Sequence, residues 1–465
     1  MGTMWAPSLA EFSGPKYRRL LSALEQAIQA GQLSPGTKLP PQRRLADALQ
    51  LTVGTVTRAY ALAEQRGYVE ARVGDGTYVA ATETPAHEPA QVNLATCQQP
   101  LTDQVAQLSD CLQALAKSPA KLAALLGYHA NPLPHQQAIF HRWLSRRGIL
   151  QSPQQLVFTH GAQQGIFAIL NALCSAGDTL LHEAYCYPGV RVAAGQLGLN
   201  ACGIPLTREG LDLAAFERLL RAHRPKLVYL TLNNQNPTCI QYSQPQRRRL
   251  LALASEYDFY IIEDDVNYCL PEEWQPPLWN QTAAAQPTLR PETQPEGQPE
   301  SRVIYVASLS KLFAGGLRQG FMLLPDALMP QIKRALHSQC WMVSPLNVEL
   351  ACQLLERGEL QSGRDQLIRQ RQQAFRAMGE RLQLQQNWRG LNGWLQLPAP
   401  VKAHHIVTAL AAKGILVRNG DDFNNHDNHI RLSIGGIGSE AQFSHTLETI
   451  AATISAVSQS AYSVV

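Results

Sequence analysis

Residues 303–321 read VIYVASLSKLFAGGLRQGF, and most of the fold prediction starts from this stretch. It opens with an apolar run of the kind that forms a buried strand. Polar groups follow the run at once: Ser308, Ser310, Lys311 and, farther on, Arg318. Hydroxyl and guanidinium groups placed together at a strand end are suited to holding an anionic group such as a phosphate.

Similar apolar runs recur in both directions along the chain: LVFT at 156–159, KLVYLTL at 226–232, FYIIED at 259–264 and GFMLL at 320–324. A helical pattern follows the first of them, from about residue 163 to 174. Continuous apolar strands that alternate with helices predict an α/β fold, with a mostly parallel central sheet covered on both faces. Ligands of such sheets bind beyond the carboxyl ends of the strands.

The residues at these strand ends form one chemically consistent set. They are Gly161, Ala162 and Gln163 in FTHGAQQG, Tyr187 in EAYCYPG, Asn236 in LNNQNPT, Asp264 in IIEDDVNY and Arg431 in HIRLSIGG. Taken singly, each has an ordinary structural explanation: Asp264 as a helix cap, Asn236 as a turn residue, Tyr187 as core. Their coincidence at successive strand ends favours a shared ligand.

Pyridoxal 5′-phosphate (PLP) requires each of these residue types. A lysine such as Lys311 forms a Schiff base with its aldehyde, and a carboxylate such as Asp264 keeps its pyridine nitrogen protonated. The N-terminus of the helix that opens at Gly161 suits its phosphate. An aromatic side chain such as Tyr187 stacks on its ring, and Arg431 can bind an amino-acid carboxylate with two hydrogen bonds.

The first 80 residues differ from the rest of the chain. Apolar residues between Tyr17 and Ile28 fall on one helix face, and shorter helical patterns follow near Leu45 and Val56. Two short strands, YVEAR and TYVA, flank the tip Gly74–Gly76. Helices followed by a hairpin predict a winged helix-turn-helix. This region holds nine Lys/Arg and six Asp/Glu, so most of the chain's net charge of +4 lies here, as a phosphate-backbone partner would require.

The stretch PGTKLPPQRRLADALQLTVGTVTRAY, with GDGTYV after it, resembles the GntR family of regulators over residues 15–80. The resemblance implies binding to a double-stranded DNA operator. It places Thr52 and Thr55 at the start of the recognition helix and puts Arg43, Arg58, Arg72 and Gly74 near the DNA. An arginine is frequent at that helix start, whereas this chain has Val53 and Gly54. Base readout is therefore expected to depend on other side chains.

The PLP motifs resemble fold-type I aminotransferases, and their combination with the N-terminal region resembles the MocR subfamily of GntR regulators. The resemblance implies a transferase fold with a smaller C-terminal α+β subdomain, Lys311 as the Schiff-base lysine, Asp264 at the pyridine nitrogen and Asn236 at the ring hydroxyl. It also implies a head-to-tail homodimer in which Tyr128 reaches the phosphate of the partner subunit. The expected output is regulation in response to PLP or a small amino-containing effector.

Three departures from the family pattern favour cofactor binding over efficient transamination. Asn267 stands where a tyrosine usually supports the ring hydroxyl, Cys239 replaces a glycine, and the stretch after Tyr128 reads NPLPHQQ. Two alternatives stay open. One is a working aminotransferase with an accessory DNA-binding domain, and the other is a DNA-binding protein whose aminotransferase domain is empty. Residual aminotransferase activity is compatible with the main interpretation.

Composition sets the domain limits and the expected environment. We predict a winged helix-turn-helix at 1–80, a Pro/Ala-rich linker at 81–100 and a PLP-binding domain at 101–465, with a disordered Gln/Pro-rich insertion at 274–301. The sequence shows neither a secretory signal nor an apolar run long enough for a membrane span, so we expect a cytoplasmic protein. Nine irregularly spaced cysteines argue against disulfides and a zinc site.

Overall fold

The computed structural model describes residues 5–10, 12, 14–72, 74–80, 91–129, 131–282, 301–357, 362–399, 401–424 and 428–462. The chain divides into two compact units, Met1–Ala90 and Gln91–Val465. The boundary falls in the Pro/Ala-rich stretch, where no periodic apolar pattern exists.

The described part of the first unit forms helices and a hairpin: α1 (Lys16–Gln29), α2 (Gln42–Leu49), α3 (Val53–Gln65), and the antiparallel strands β1 (Val69–Arg72) and β2 (Gly76–Val79). The apolar side chains of α1, among them Leu20 and Leu24, are buried with Val56 and Tyr60 of α3. Gln50 ends α2 in the left-handed conformation, at φ 50°, which allows the tight turn into α3. This arrangement confirms the predicted helix-turn-helix with a wing.

The second unit contains β3 (Val92–Asn93), α4 (Gln104–Ala116), α5 (Pro119–Leu125), α6 (Pro134–Arg146), β4 (Leu156–Thr159), α7 (Ala162–Leu173), β5 (Thr179–Glu183), α8 (Pro188–Gln196), β6 (Asn200–Ile204), β7 (Leu206–Thr207), β8 (Gly210–Leu211), α9 (Leu213–His223), β9 (Leu227–Leu230), α10 (Gln244–Glu256), β10 (Tyr260–Asp264), β11 (Val303–Ser308), β12 (Gly320–Leu323), α11 (Met329–Gln339), α12 (Pro345–Arg357), α13 (Ser362–Arg381), β13 (Gln385–Arg389), β14 (Asn392–Gln396), α14 (Ala403–Ala411), β15 (Ile415–Leu416), β16 (Arg418–Asn419), β17 (His429–Ser433) and α15 (Glu440–Tyr462). Short 3-10 helices lie at Pro153–Gln155, Leu278–Gln281, Gly315–Leu317, Asp326–Leu328, Gly420–Phe423 and Ile434–Gly436.

A seven-stranded sheet forms the centre of this unit, in the order β4-β12-β11-β10-β9-β5-β6. All its neighbours pair in parallel except β12, which runs antiparallel to both β11 and β4. The strands β9, β11 and β12 are buried along their whole length, which explains their continuous apolar sequences. The predicted α/β fold with a mostly parallel sheet is confirmed.

A smaller antiparallel sheet, in the order β13-β14-β17-β16, follows in the last third of the chain. Helix α13 contacts β13, and α14 contacts β16 and β17. This is the smaller α+β subdomain that the resemblance implied. The short strand β3 pairs in parallel with β15, so the beginning of the second unit is hydrogen-bonded to this subdomain.

The structure differs from the sequence-based boundaries in two places. Residues 81–90 of the predicted linker lie outside the described residues, but Val92–Asn93 is a strand and Leu94 is fully buried. The apolar run here was too short to reveal a strand.

The predicted insertion is likewise shorter than residues 274–301. Leu278 and Trp279 are fully buried, and both backbone N–H groups donate to the buried carboxylate of Glu263, at 2.6 and 3.0 Å. Residues 274–282 therefore belong to the core of the second unit. The Gln/Pro-rich composition concealed this because a few apolar residues there do most of the packing. Residues 283–300 lie outside the described residues.

None of the helices in the described part of the chain is long and apolar enough to cross a membrane.

Candidate functional site

A cavity of about 510 Å³ lies at the sheet edge where the parallel strands end. Ten of the predicted ligand-binding residues line it: Ala162, Gln163, Tyr187, Asn236, Asp264, Ser308, Ser310, Lys311, Arg318 and Arg431. They come from six separate stretches of sequence. Five of these stretches meet because β4, β5, β9, β10 and β11 all point their carboxyl ends the same way, whereas Arg431 comes from the middle of β17 in the smaller sheet.

Lys311 lies three residues beyond the end of β11 and is half-buried. Its Nζ donates a hydrogen bond to the backbone oxygen of Cys97. Its own backbone oxygen accepts from Nε2 of Gln99, at 2.7 Å. The lysine is thus held at the cavity by the segment 95–99.

Asp264 ends β10 and is buried. Tyr229 donates from its hydroxyl to Oδ2 of Asp264 at 2.5 Å, and the N–H of Val266 donates to Oδ1 at 3.2 Å. Burial raises the pKa of this carboxyl to about 6, although these two hydrogen bonds oppose the effect. A cation inside the cavity would favour the ionised form.

Close backbone packing forms the corner predicted for the phosphate. Gly161 precedes α7 at φ +78°, and a Cβ at this position would lie 2.6 Å from Nη2 of Arg318. Gly320 pairs with both Ser308 and Thr159, and a Cβ there would lie 2.6 Å from the backbone of Gly161. The glycines therefore let Arg318 approach the N-terminus of α7, where backbone N–H groups and a guanidinium together suit an anion.

Three polar side chains at the cavity have unused hydrogen-bonding atoms. Oε1 of Gln163, Oδ1 of Asn236 and Nε of Arg431 are buried, and none has a partner among the described residues. Arg431 donates from Nη2 to the backbone oxygen of Ala95 and from Nη1 to Oδ1 of Asn392, at 3.4 Å. Its guanidinium thus retains a donor for a ligand.

Asn267 lines the cavity, as the sequence comparison placed it, and donates from Nδ2 to the backbone oxygen of Asn234 at 3.0 Å. The neighbouring Tyr268 is buried outside the cavity, where its hydroxyl donates to Asp365. Tyr268 consequently does not substitute for the tyrosine that is missing at position 267.

Tyr128 does not line this cavity. Its side chain is 83% exposed, and its ring contacts Trp341 edge-on at 5.2 Å between centroids. This placement leaves Tyr128 accessible to another molecule.

In the first unit, the start of α3 is exposed. Thr52 caps the helix by accepting the N–H of Thr55 at 3.2 Å, and the two hydroxyls lie 2.8 Å apart. Thr57, one turn along, donates to Oε1 of Gln42 on α2 at 2.7 Å. The contact ties the two helices of the helix-turn-helix together at their exposed ends.

The predicted DNA-contacting cations are also exposed. Arg43 lies in the first turn of α2. Arg58 on α3 stacks over the ring of Tyr17 at 4.1 Å. In the wing, Arg72 pairs with Glu70 at 2.6 Å, and Gly74 occupies the tip at φ +78°.

A family model described as aminotransferase class I and II matches residues 89–450. The chain belongs to this family. A second model, described as bacterial regulatory proteins of the gntR family, matches residues 16–79. A GntR helix-turn-helix followed by an aminotransferase-like domain is the MocR-type architecture.

Relatives cover nearly the whole chain. The uncharacterized HTH-type transcriptional regulator YdeF of Bacillus subtilis is 29% identical over 442 residues, which span 90% of this chain and 89% of YdeF. The HTH-type transcriptional regulator TauR of Rhodobacter capsulatus is 27% identical, over 92% and 94% of the two chains. The probable rhizopine catabolism regulatory protein MocR of Rhizobium meliloti is 25% identical, over 69% and 67%.

Solved aminotransferases share the fold of the larger unit. LysN, an α-aminoadipate aminotransferase from Thermus thermophilus, superposes with a TM-score of 0.69 at 21% identity, over 79% of this chain and 93% of LysN. The kynurenine aminotransferase of Pyrococcus horikoshii gives 0.67 at 23% identity, over 79% and 91%.

Sequence reasoning missed several residues of the aminotransferase-like cavity. Tyr229 lies inside an apolar strand, which predicts a core residue, although its hydroxyl donates a hydrogen bond to Asp264. The backbone of Ala95 and Cys97 carries no side-chain signal. Arg418 lies in a two-residue strand, too short for a period-two pattern to reveal.

In the GntR unit the missed residues surround the wing. Lys38 forms an ion pair with Asp75 at 2.6 Å, and Tyr78 donates to the same carboxylate at 2.7 Å. Lys38 lies 40 residues before Tyr78 and meets it through an isolated β-bridge, which no local pattern indicates.

The glycine at position 161 offers a test of the phosphate corner. Gly161→Ala should weaken binding of PLP, the cofactor predicted from the sequence, by about tenfold or more, because its Cβ displaces Arg318. Gly177→Ala is the matched control, since Gly177 has φ +89° but no atom within 4 Å of its Cβ position. Both variants should lose about 1 to 2 kcal/mol of stability from the left-handed backbone. Equal PLP affinities in the two variants, measured by equilibrium dialysis, would show that Arg318 does not contribute to the phosphate site.

Proposed function

We propose that this protein is a DNA-binding transcription regulator that holds PLP at Lys311 and senses PLP or an amino-containing metabolite. The observation that carries the proposal is the meeting of Lys311, Asp264, Asn236 and Arg318 in one cavity of a chain that also has a GntR domain. The regulatory role is further supported by the relatives, since YdeF, TauR and MocR are all named as regulators.

Three features of the cavity support PLP as its ligand. Oδ1 of Asn236 is buried and has no partner among the described residues, so a flip of this amide costs no hydrogen bond at Oδ1 and would turn Nδ2, a donor, toward the ring oxygen of PLP. The absence of a side chain at Gly161 lets the Arg318 guanidinium lie beside the N-terminus of α7, and the two groups together suit an anion. Tyr187 is 37% exposed and lines the cavity, where it can stack on a flat ring. When bound, PLP supplies an electrophilic carbonyl carbon and an electron-accepting ring.

Asp264 and Lys311 have distinct proposed tasks. Burial favours the neutral form of the Asp264 carboxyl, so a protonated pyridine nitrogen beside it would stabilise the carboxylate and fix the orientation of the ring. Lys311 would hold the cofactor covalently. Ser308 and Ser310 would add hydroxyl hydrogen bonds to its phosphate next to Arg318.

The segment 95–97 contacts two of the proposed ligand-binding side chains and lies close to the linker in sequence. The carbonyls of Ala95 and Cys97 accept hydrogen bonds from Arg431 and Lys311, the two side chains proposed to bind the effector carboxylate and the cofactor. A ligand that takes these donors competes with the two carbonyls. The segment lies a few residues after 81–90, the stretch that leads to the GntR domain. Ligand binding would therefore release a segment that follows the linker and β3 in sequence.

A homodimer completes the proposed site. Tyr128 is exposed and lies outside the cavity of its own subunit. In a head-to-tail dimer its hydroxyl would reach the phosphate in the partner subunit. Two GntR domains in one dimer would also double the number of phosphate contacts with an operator.

Catalytic transamination is the second candidate, because the chain keeps both Lys311 and Asp264. The asparagine at position 267 favours a sensor over a working aminotransferase. Its amide donates to the backbone of Asn234, so it does not supply the hydroxyl donor that a tyrosine would bring to the ring oxygen. The site retains what binding requires and lacks one group that supports fast turnover.

Borohydride reduction tests the proposed lysine. Reduction of the PLP-loaded protein should fix the cofactor on one peptide, which contains Lys311, because this lysine ends the SLSK stretch at the cavity. Lys311→Ala should abolish both the covalent label and the visible absorbance. The exposed Lys333 on α11 serves as control, and Lys333→Ala should label normally. A label on another peptide would contradict the assignment.

The salt dependence of DNA binding tests the GntR face. Arg43→Ala should lower affinity for a mixed-sequence DNA duplex and reduce the log–log salt slope by about 0.9, the contribution of one neutralised phosphate. Arg66→Ala is the control, because Arg66 follows α3 at its far end and pairs with Glu25 at 2.7 Å. Fluorescence anisotropy at several salt concentrations gives both quantities. An unchanged slope for Arg43→Ala would exclude it from the interface.

A further inference from the structure

One cation at the cavity has no part in the proposed function. Among the described residues that line it, the cations are Lys311, Arg318, Arg418 and Arg431, whereas Asp264 is the one carboxylate. The proposed function assigns Lys311 and Arg318 to PLP and Arg431 to a carboxylate. Arg418 then remains without a role.

Arg418 and Arg431 are direct cross-strand neighbours. They pair in register between the antiparallel strands β16 and β17, so their side chains leave the sheet on the same face. Like charges placed directly opposite each other on a sheet are destabilising. Burial lowers the pKa of Arg431, and the nearby positive charge of Arg418 lowers it further. The sequence thus places two guanidinium groups side by side at a cost in stability.

The immediate surroundings neutralise this charge only in part. Arg418 pairs with Asp422 at 3.2 Å through one nitrogen, and both side chains are about half-exposed, at 45% and 41%. An exposed ion pair of this kind contributes little to stability. Arg431, which is buried, donates to one backbone oxygen and one amide oxygen, and its Nε has no partner among the described residues. Among the described residues, neither guanidinium group forms an ion pair with a buried carboxylate.

We propose that the effector is an amino acid with a second carboxylate, and that Arg431 binds one carboxylate while Arg418 binds the other. This inference rests on the proposed function, because the effector occupies the same cavity as PLP. A ligand with two carboxylates relieves the repulsion between the arginines. The half-exposed Arg418 lies at the rim, where it can release Asp422 and turn to the ligand. Selection between acidic and neutral amino acids then depends on Arg418.

Titration of the PLP-loaded full chain with L-glutamate and L-glutamine tests this assignment. The two probes have the same shape and differ in the charge of the distal group. Wild type should bind glutamate about tenfold or more tightly than glutamine, the size expected of one charged hydrogen-bonding contact. Arg418→Gln should bring the ratio close to one by weakening glutamate alone. Asp422→Asn should tighten glutamate, because it removes the competing carboxylate. Calorimetry and the PLP absorbance report binding without turnover.

The controls separate this inference from the proposed function. Arg208→Gln changes an exposed arginine outside the cavity and should preserve the wild-type ratio. A protein that shows no PLP absorbance would refute the proposed function itself. A PLP-loaded protein that binds glutamate and glutamine equally, binds neither, or keeps its preference in Arg418→Gln would refute only the role of Arg418.

Discussion

The pairing of β10 with β11 is the constraint on which the candidate site depends. The two strands are parallel, buried and adjacent, with Asp264 opposite Val306. The loops that follow them therefore begin at the same edge, and Asp264 and Lys311 reach one cavity although 47 positions separate their numbers. The antiparallel return of β12 adds Arg318 at that edge, since Gly320 must pair beside Ser308. A change in this register would separate the carboxylate from the lysine.

The segment 95–97 connects the cavity to the proposed response to a ligand. Its carbonyls accept hydrogen bonds from Lys311 and Arg431. A ligand that takes these donors keeps them paired but leaves the two carbonyls without partners, so the proposed exchange requires the segment to move. Such an exchange suits a protein that must respond to a ligand, whereas an enzyme gains from donors that are already in place. The proposed regulator therefore uses the aminotransferase fold for selective binding.

The sequence predicts the strands that are buried on both faces, because their apolar runs are continuous; LVFT and RVIYVAS match β4 and β11 closely. It predicts the cavity residues that follow those runs. It does not reveal β3, whose two residues are too few for a pattern, or the packing of Trp279, which is hidden in a Gln/Pro-rich stretch. Arg418 was missed because its strand has only two residues, and Lys38 was missed because it meets the wing through a bridge to Tyr78, far along the chain. Local patterns identify local elements, and these contacts are non-local.

In the proposed regulator, occupation of the Lys311 cavity changes DNA binding. The most direct measurement is the affinity of the full chain for a duplex selected from a random-sequence library, at fixed salt, as PLP is titrated and then as L-glutamate is added to the loaded protein. We expect the affinity to change by about fivefold or more in wild type, the lower range of allosteric coupling, and to stay constant in Lys311→Ala. One affinity for all ligand states of the wild type, with PLP bound covalently, would contradict the claim.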